Sequence, residues 1–115
     1  MPLRALEAGY HLDVEVVQIR GHCPVYALGD RFAILEGYKL RAEKPLCLHS
    51  LASMLPYYVA LSHGVSPKEL GLGQEDAAYV QCLDPCEHTG GATVVFRIRR
   101  LEHDRATEEG RAKAE

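Results

Sequence analysis

The residue types best suited to chemistry are the four cysteines, and the segment Gln81-Cys82-Leu83-Asp84-Pro85-Cys86-Glu87-His88 holds two of them in a Cys-x-x-x-Cys spacing. Cys23 directly precedes Pro24, and Cys47 follows Pro45 by two positions. All four are expected where a regular element starts or stops. Thiolate is the soft ligand that zinc and iron–sulfur centres use, so the pattern predicts a site at which sulfurs from distant segments meet. Ligands from three separate segments differ from the short paired spacings of zinc fingers and ferredoxins. The same residues support a second chemistry. Cys47 is expected in the first turn of a helix, where unpaired N–H groups and the macrodipole favour a thiolate. In that reading Cys47 is the reactive thiolate of a redox protein or enzyme, and Cys82 or Cys86 resolves it. In a third, the cysteines are small core residues, Cys82 being in phase with Ala78 and Val80. The domain is then a non-catalytic interaction module.

The histidines add two candidates. His22 and His88 neighbour cysteines and could complete a Cys3His set. His49 is two residues from Cys47 and points elsewhere on a helix. His11, His63 and His103 read as surface or cap residues. Carboxylates Asp30, Glu36, Asp84 and Glu87 form no spaced pair suited to acid–base work. Gly90-Gly91 precedes a strand, not a helix, so no phosphate-cradling loop is present. Arg97, Arg99 and Arg100 are expected on an exposed strand face, serving solubility or partner contact.

Composition narrows the class. A chain of 115 residues makes one domain with enough apolar residues, 47%, to build a core without a staple. A net charge of -3 gives no basic field, so nucleic acid is not an expected partner. No apolar run reaches the length of a membrane span, and the first residues lack the apolar core of a secretory signal. The expectation is a cytoplasmic protein, where thiols stay reduced and serve as ligands, catalytic groups or core residues instead of disulfides.

The elements that must position the thiols follow from periodicity. Residues 12–20 alternate as a strand whose phase slips between Val16 and Val17, the mark of a bulge or of a strand covered on both faces. Pro24 ends it. Gly29-Asp30 turns into a second strand over 31–35, with a short third over 38–40. Apolar residues at Leu48, Leu51, Ala52, Leu55 and Val59, a series that Ser62 could extend, give the i, i+3, i+4, i+7 stripe of a long helix over 46–63, kinked or split at Pro56 and capped by Gly64. Ser66-Pro67-Lys68-Glu69 signals one further helical turn. Strands over 77–83 and 92–101 flank the Cys86 turn as a hairpin. Residues 1–11 read as a lead-in and 103–115 as a charged tail. The predicted fold is α+β: a small, mostly antiparallel sheet of four or five strands with one long kinked helix packed on it. Free strand edges on so small a domain often bring self-association, which adds a homo-oligomer to the expected states.

The series Gly21-His22-Cys23-Pro24, Gly29-Asp30-Arg31-Phe32, Cys47, Leu55-Pro56-Tyr57-Tyr58-Val59-Ala60-Leu61, Val80-Gln81-Cys82-Leu83-Asp84-Pro85 and Val94-Val95-Phe96-Arg97-Ile98 resembles a family of small uncharacterised prokaryotic proteins. The likeness covers residues 12–102. It implies that Cys23, Cys47 and Cys82 form the family's cysteine set and that Cys86 is a departure. Three thiolates with an open fourth place, filled by Cys86, His22 or an outside ligand, suit a cluster or a catalytic zinc.

Overall fold

The computed structural model describes residues 9–74 and 76–101. Most of the lead-in and all of the charged tail, including His103, lie outside the described residues. Among the described residues, five strands form one antiparallel sheet: β1 (His11–Gly21), β2 (Arg31–Leu35), β3 (Lys39–Arg41), β4 (Ala78–Gln81) and β5 (Ala92–Leu101). Their order is β3-β2-β1-β5-β4, so the two longest strands pair at the centre. Three short helices accompany them: α1 (Leu48–Met54), α2 (Tyr58–Ser62) and α3 (Cys86–Thr89).

Alternation decides which face is covered. Leu12, Val14 and Val16 of β1 are buried with Phe32 and Ile34 of β2 and with Val94, Phe96 and Ile98 of β5. The phase slip after Val16 is a bulge: the β1–β5 register shifts between Val16 and Gln18, and Ile19 then pairs with Val94. The extra residue returns Ile19 to the covered side, where it packs on the core. α1 lies against β4 and α2 against β1.

The expected long kinked helix is absent, which corrects the predicted fold. The chain forms α1 and α2 as separate pieces joined through Leu55, Pro56 and Tyr57. Pro56 has no N–H to give to a carbonyl one turn back, and its ring crowds that carbonyl. Tyr57 restarts as the N-cap of α2 after donating to Met54. The break resets the rotational phase. Past the break Val59, assigned inward by the helical stripe, is exposed and Leu61, off the stripe, is buried; before the break Leu48 and Leu55 are exposed because α1 buries Ser50 and Met54 instead. Gly64, at φ 94°, ends α2 as a Schellman cap: Val65 N–H bonds Ala60 O and Gly64 N–H bonds Leu61 O. The Ser66-Pro67 signal gives hydrogen-bonded turns, with Leu70 N–H on Ser66 O. Among the described residues, no helix is long and apolar enough to cross a membrane.

The opposite face is a charge ladder. Glu15 faces Arg31 on one neighbour and Arg97 on the other, at 2.9 and 2.8 Å, and Asp13 faces Arg99 at 3.8 Å. Arg97 and Arg99 therefore bond within the sheet. Arg100 lies over the Tyr10 ring and reaches Val65 O. Hydrogen bonds from Arg31 and then Arg97 hold the Glu15 carboxyl below its ordinary range, and Lys44 followed by the Ala27 amide does the same for Asp30. Because these folded-state values are depressed, the stability they supply is present above the unfolded carboxylate range, about pH 4. It is lost as pH falls through the folded values. Glu15→Gln is expected to lower the urea midpoint at neutral pH and to flatten its decline between about pH 5 and 3. An unchanged slope would show that the ladder is not coupled to folding.

Candidate functional site: the cysteines around Tyr26

Each cysteine is placed by a specific piece of backbone. Gly21 closes β1 at φ 85°, and the chain leaves through exposed His22 into Cys23 and Pro24. Cys23 is half-buried against the core, and its Sγ accepts the Tyr26 N–H at 3.3 Å. Cys47 is the N-cap of α1, one position before the first helical turn, and its side chain makes no capping bond. It too packs on the core. Cys82 follows β4 by one residue, keeps the strand's inward phase and is buried. Its Sγ accepts the Val94 N–H at 3.2 Å and lies 3.4 Å from Ala92 O. Cys86 opens α3, half-buried, with its N–H on Thr93 Oγ1.

Cys23, Cys47 and Cys82 thus border one apolar cluster under the covered face of the sheet. Cys86 occupies a different setting. A surface hollow of about 260 Å³ runs between Cys82 and Cys86, walled by Arg20, Asp84, His88 and Thr93. Asp84 organises this turn. Its carboxylate meets the Thr89 hydroxyl and the Ala92 N–H, and its carbonyl accepts the Thr93 hydroxyl at 2.6 Å. His88 and His22 are exposed, as are His49 and His63. His11 departs from the surface expectation: it is 2% exposed, and its Nδ1 accepts the Glu36 N–H at 2.9 Å. Glu36 has φ 55°, a conformation most side chains avoid, and this bond helps hold it there.

All four thiols are free. Among the described residues, no three side chains of His, Cys, Asp or Glu are gathered as a metal ion requires. The donor types fit zinc or an iron–sulfur cluster; their spacing does not present a finished ligand set. A backbone N–H reaches the sulfur of Cys23 and that of Cys82, and each bond fixes the direction in which its sulfur points.

Sequence reasoning passed over Tyr26. It sits in a loop between proline and glycine, has no periodic context, and is nevertheless 7% exposed with its ring edge-on to Phe96 at 5.3 Å. An aromatic residue three positions after a loop cysteine was the one available signal. Comparison with protein-family models, with curated proteins and with solved structures finds no match for this chain.

Proposed function

We propose that the domain works through its cysteines, binding a soft metal ion or an iron–sulfur cluster with Cys23, Cys47 and Cys82, and with Cys86 or His22 as the fourth ligand. The observation that supports this reading is the shared apolar cluster that three cysteines border, two of them with a backbone N–H on the sulfur. The resemblance of residues 12–102 to a family with those three cysteines points the same way. A reducing compartment such as the cytoplasm suits four free thiols.

A second reading makes Cys47 a reactive thiolate, with Cys82 or Cys86 resolving it. It is favoured by the Cys47 side chain, which is half-buried and makes no capping bond. A non-catalytic interaction module, including a homo-oligomer, draws support from exposed Leu48 and Val59 on the helices and Leu55 between them.

Anaerobic purification followed by metal and sulfide analysis separates these readings. A stoichiometric metal or cluster is expected, with a visible absorbance band for the cluster, and both should disappear when Cys23, Cys47 and Cys82 are replaced by serine. Absence of metal, sulfide and colour, with fast alkylation of Cys47 at neutral pH, would overturn the leading reading in favour of the thiolate. Absence of both binding and reactivity would leave the interaction module.

A further inference from the structure

Tyr26 touches both loop-borne thiol segments with its two polar ends. Its amide donates to Cys23 Sγ at 3.3 Å. Its phenol oxygen accepts the Cys47 N–H at 3.0 Å and lies 2.7 Å from Ser50 Oγ. Ser50 Oγ in turn donates to the Cys47 carbonyl at 2.7 Å. Each hydroxyl carries a single proton, so the directions follow. Ser50 spends its proton on the Cys47 carbonyl, and the Tyr26 hydroxyl must then donate to Ser50 Oγ. The Tyr26 oxygen remains free to accept from Cys47. The result is a closed ring of hydrogen bonds that holds both the N–H and the C=O of Cys47.

This ring is shielded. Ser50 is fully buried, Tyr26 is 7% exposed, and the edge-on contact with Phe96 fixes the aromatic plane. Bonds in such surroundings are strengthened, and a member left without its partner is penalised. A tyrosine and a serine are uncommon choices for a core position that leucine and alanine would fill. Here they bind the backbone of one cysteine to the loop of another, across 24 residues of sequence.

We propose that Tyr26 is the positioning residue of the thiol site, coupling Cys23 to Cys47 through its amide and its phenol oxygen. This rests on the reading that the two cysteines serve one site. Tyr26→Phe removes the oxygen and keeps the ring and the amide. Ser50→Ala opens the hydrogen-bonded ring from the far side but keeps the Cys47 N–H on the Tyr26 oxygen and the Tyr26 amide on Cys23 Sγ, so the Cys23 loop stays tied to Cys47.

The test follows alkylation of each cysteine by mass spectrometry across pH in the full, reduced chain, with Cys86 as the internal reference. Tyr26→Phe removes both phenol hydrogen bonds and is expected to raise the rate at Cys47 at least roughly fivefold relative to Cys86, the net worth of one such bond, and to raise the rate at Cys23 by less, because the amide on its sulfur remains while the loop loses its tie to Cys47. Ser50→Ala is expected to raise the rate at Cys47 alone. Equal changes at all cysteines, or none, would overturn the proposal, because general loosening moves every thiol together. Co²⁺ titration supplies the second readout: Tyr26→Phe should weaken binding by about 10- to 100-fold, as loss of a group orienting a ligand does. If the unaltered chain binds no Co²⁺, the metal reading fails while the alkylation pattern still decides the role of Tyr26.

Discussion

Phe96→Ala is expected to cost roughly 3–5 kcal/mol, the range for emptying a fully buried aromatic site. Phe96 is 0% exposed and stands at the centre of β5, paired with Val16 on one side and Val80 on the other. Its ring meets Tyr26 edge-on at 5.3 Å and Phe32 at 6.3 Å, contacts that add to simple burial. In a domain of this size each kcal/mol moves the midpoint by several degrees, so a loss of roughly 15 °C or more in Tm is expected. Phe96→Leu keeps most of the apolar volume and should cost much less. Thermal unfolding of both variants checks this, and comparable Tm values for Phe96→Ala and the parent chain would contradict the placement of the core. Because Tyr26 rests on this ring, Phe96→Ala should also release Cys47 to alkylating agents.

Gly21→Ala is expected to destabilise by roughly 2–4 kcal/mol, combining a disfavoured backbone conformation with a steric collision. Gly21 has φ 85°, which only glycine adopts without strain. A Cβ there would press into the carbonyl oxygen of Gly91 and lie 3.1 Å from Ala92 Cα, both on backbone that cannot swing aside. The damage falls where β1 hands the chain to Cys23, two residues on, and where it pairs with Ala92 beside Cys82. A control at Gly29 shares positive φ but meets no atom within 4 Å, so Gly29→Ala should show only the conformational part. Urea unfolding of the pair separates the two contributions. Equal losses would mean that Gly21 is held by conformation alone.

The strands were the legible part of the chain. β5 alternates from Val94 to Arg99, and the slip at Val16 and Val17 announced the bulge that the β1–β5 register contains. A strand's period survives because a single face is buried, and sequence alone shows which residues alternate. The helices were misread for a physical reason. Leu48, Leu51, Leu55 and Val59 keep a helical spacing, but Pro56 splits the helix, one of the two expected alternatives, and spacing fixes no face across the split; before it, Ser50 and Met54 are the buried residues of α1 while Leu48 and Leu55 are exposed. Beyond the break, Leu61, off the stripe, is buried while Val59, on it, is not; Ser62, the last position of the stripe, is buried. The charge ladder was illegible because Glu15, Arg31 and Arg97 become neighbours through strand order, which alternation does not reveal.

For the site, residue type and position were readable and proximity was not. Cys23, Cys47 and Cys82 stand at element ends as their flanking residues implied, and all three border the core. The hydrogen bonds that join the Cys23 loop to Cys47 pass through Tyr26 and Ser50, which no periodicity marks. Burying a phenol and a hydroxyl is unfavourable unless each finds its partners. The partners of the Tyr26 phenol lie 21 and 24 residues away, so periodicity does not reveal them.

Thiol protection is the most direct measurement. Reduced, anaerobic protein is titrated with Co²⁺, and the alkylation of each cysteine is followed together with the thiolate-to-cobalt charge-transfer band. Cys23, Cys47 and Cys82 are expected to become protected over one and the same range of Co²⁺ as the band appears. Three thiols that keep reacting independently at every Co²⁺ concentration, with no band, would contradict the claim that these sulfurs serve a single site.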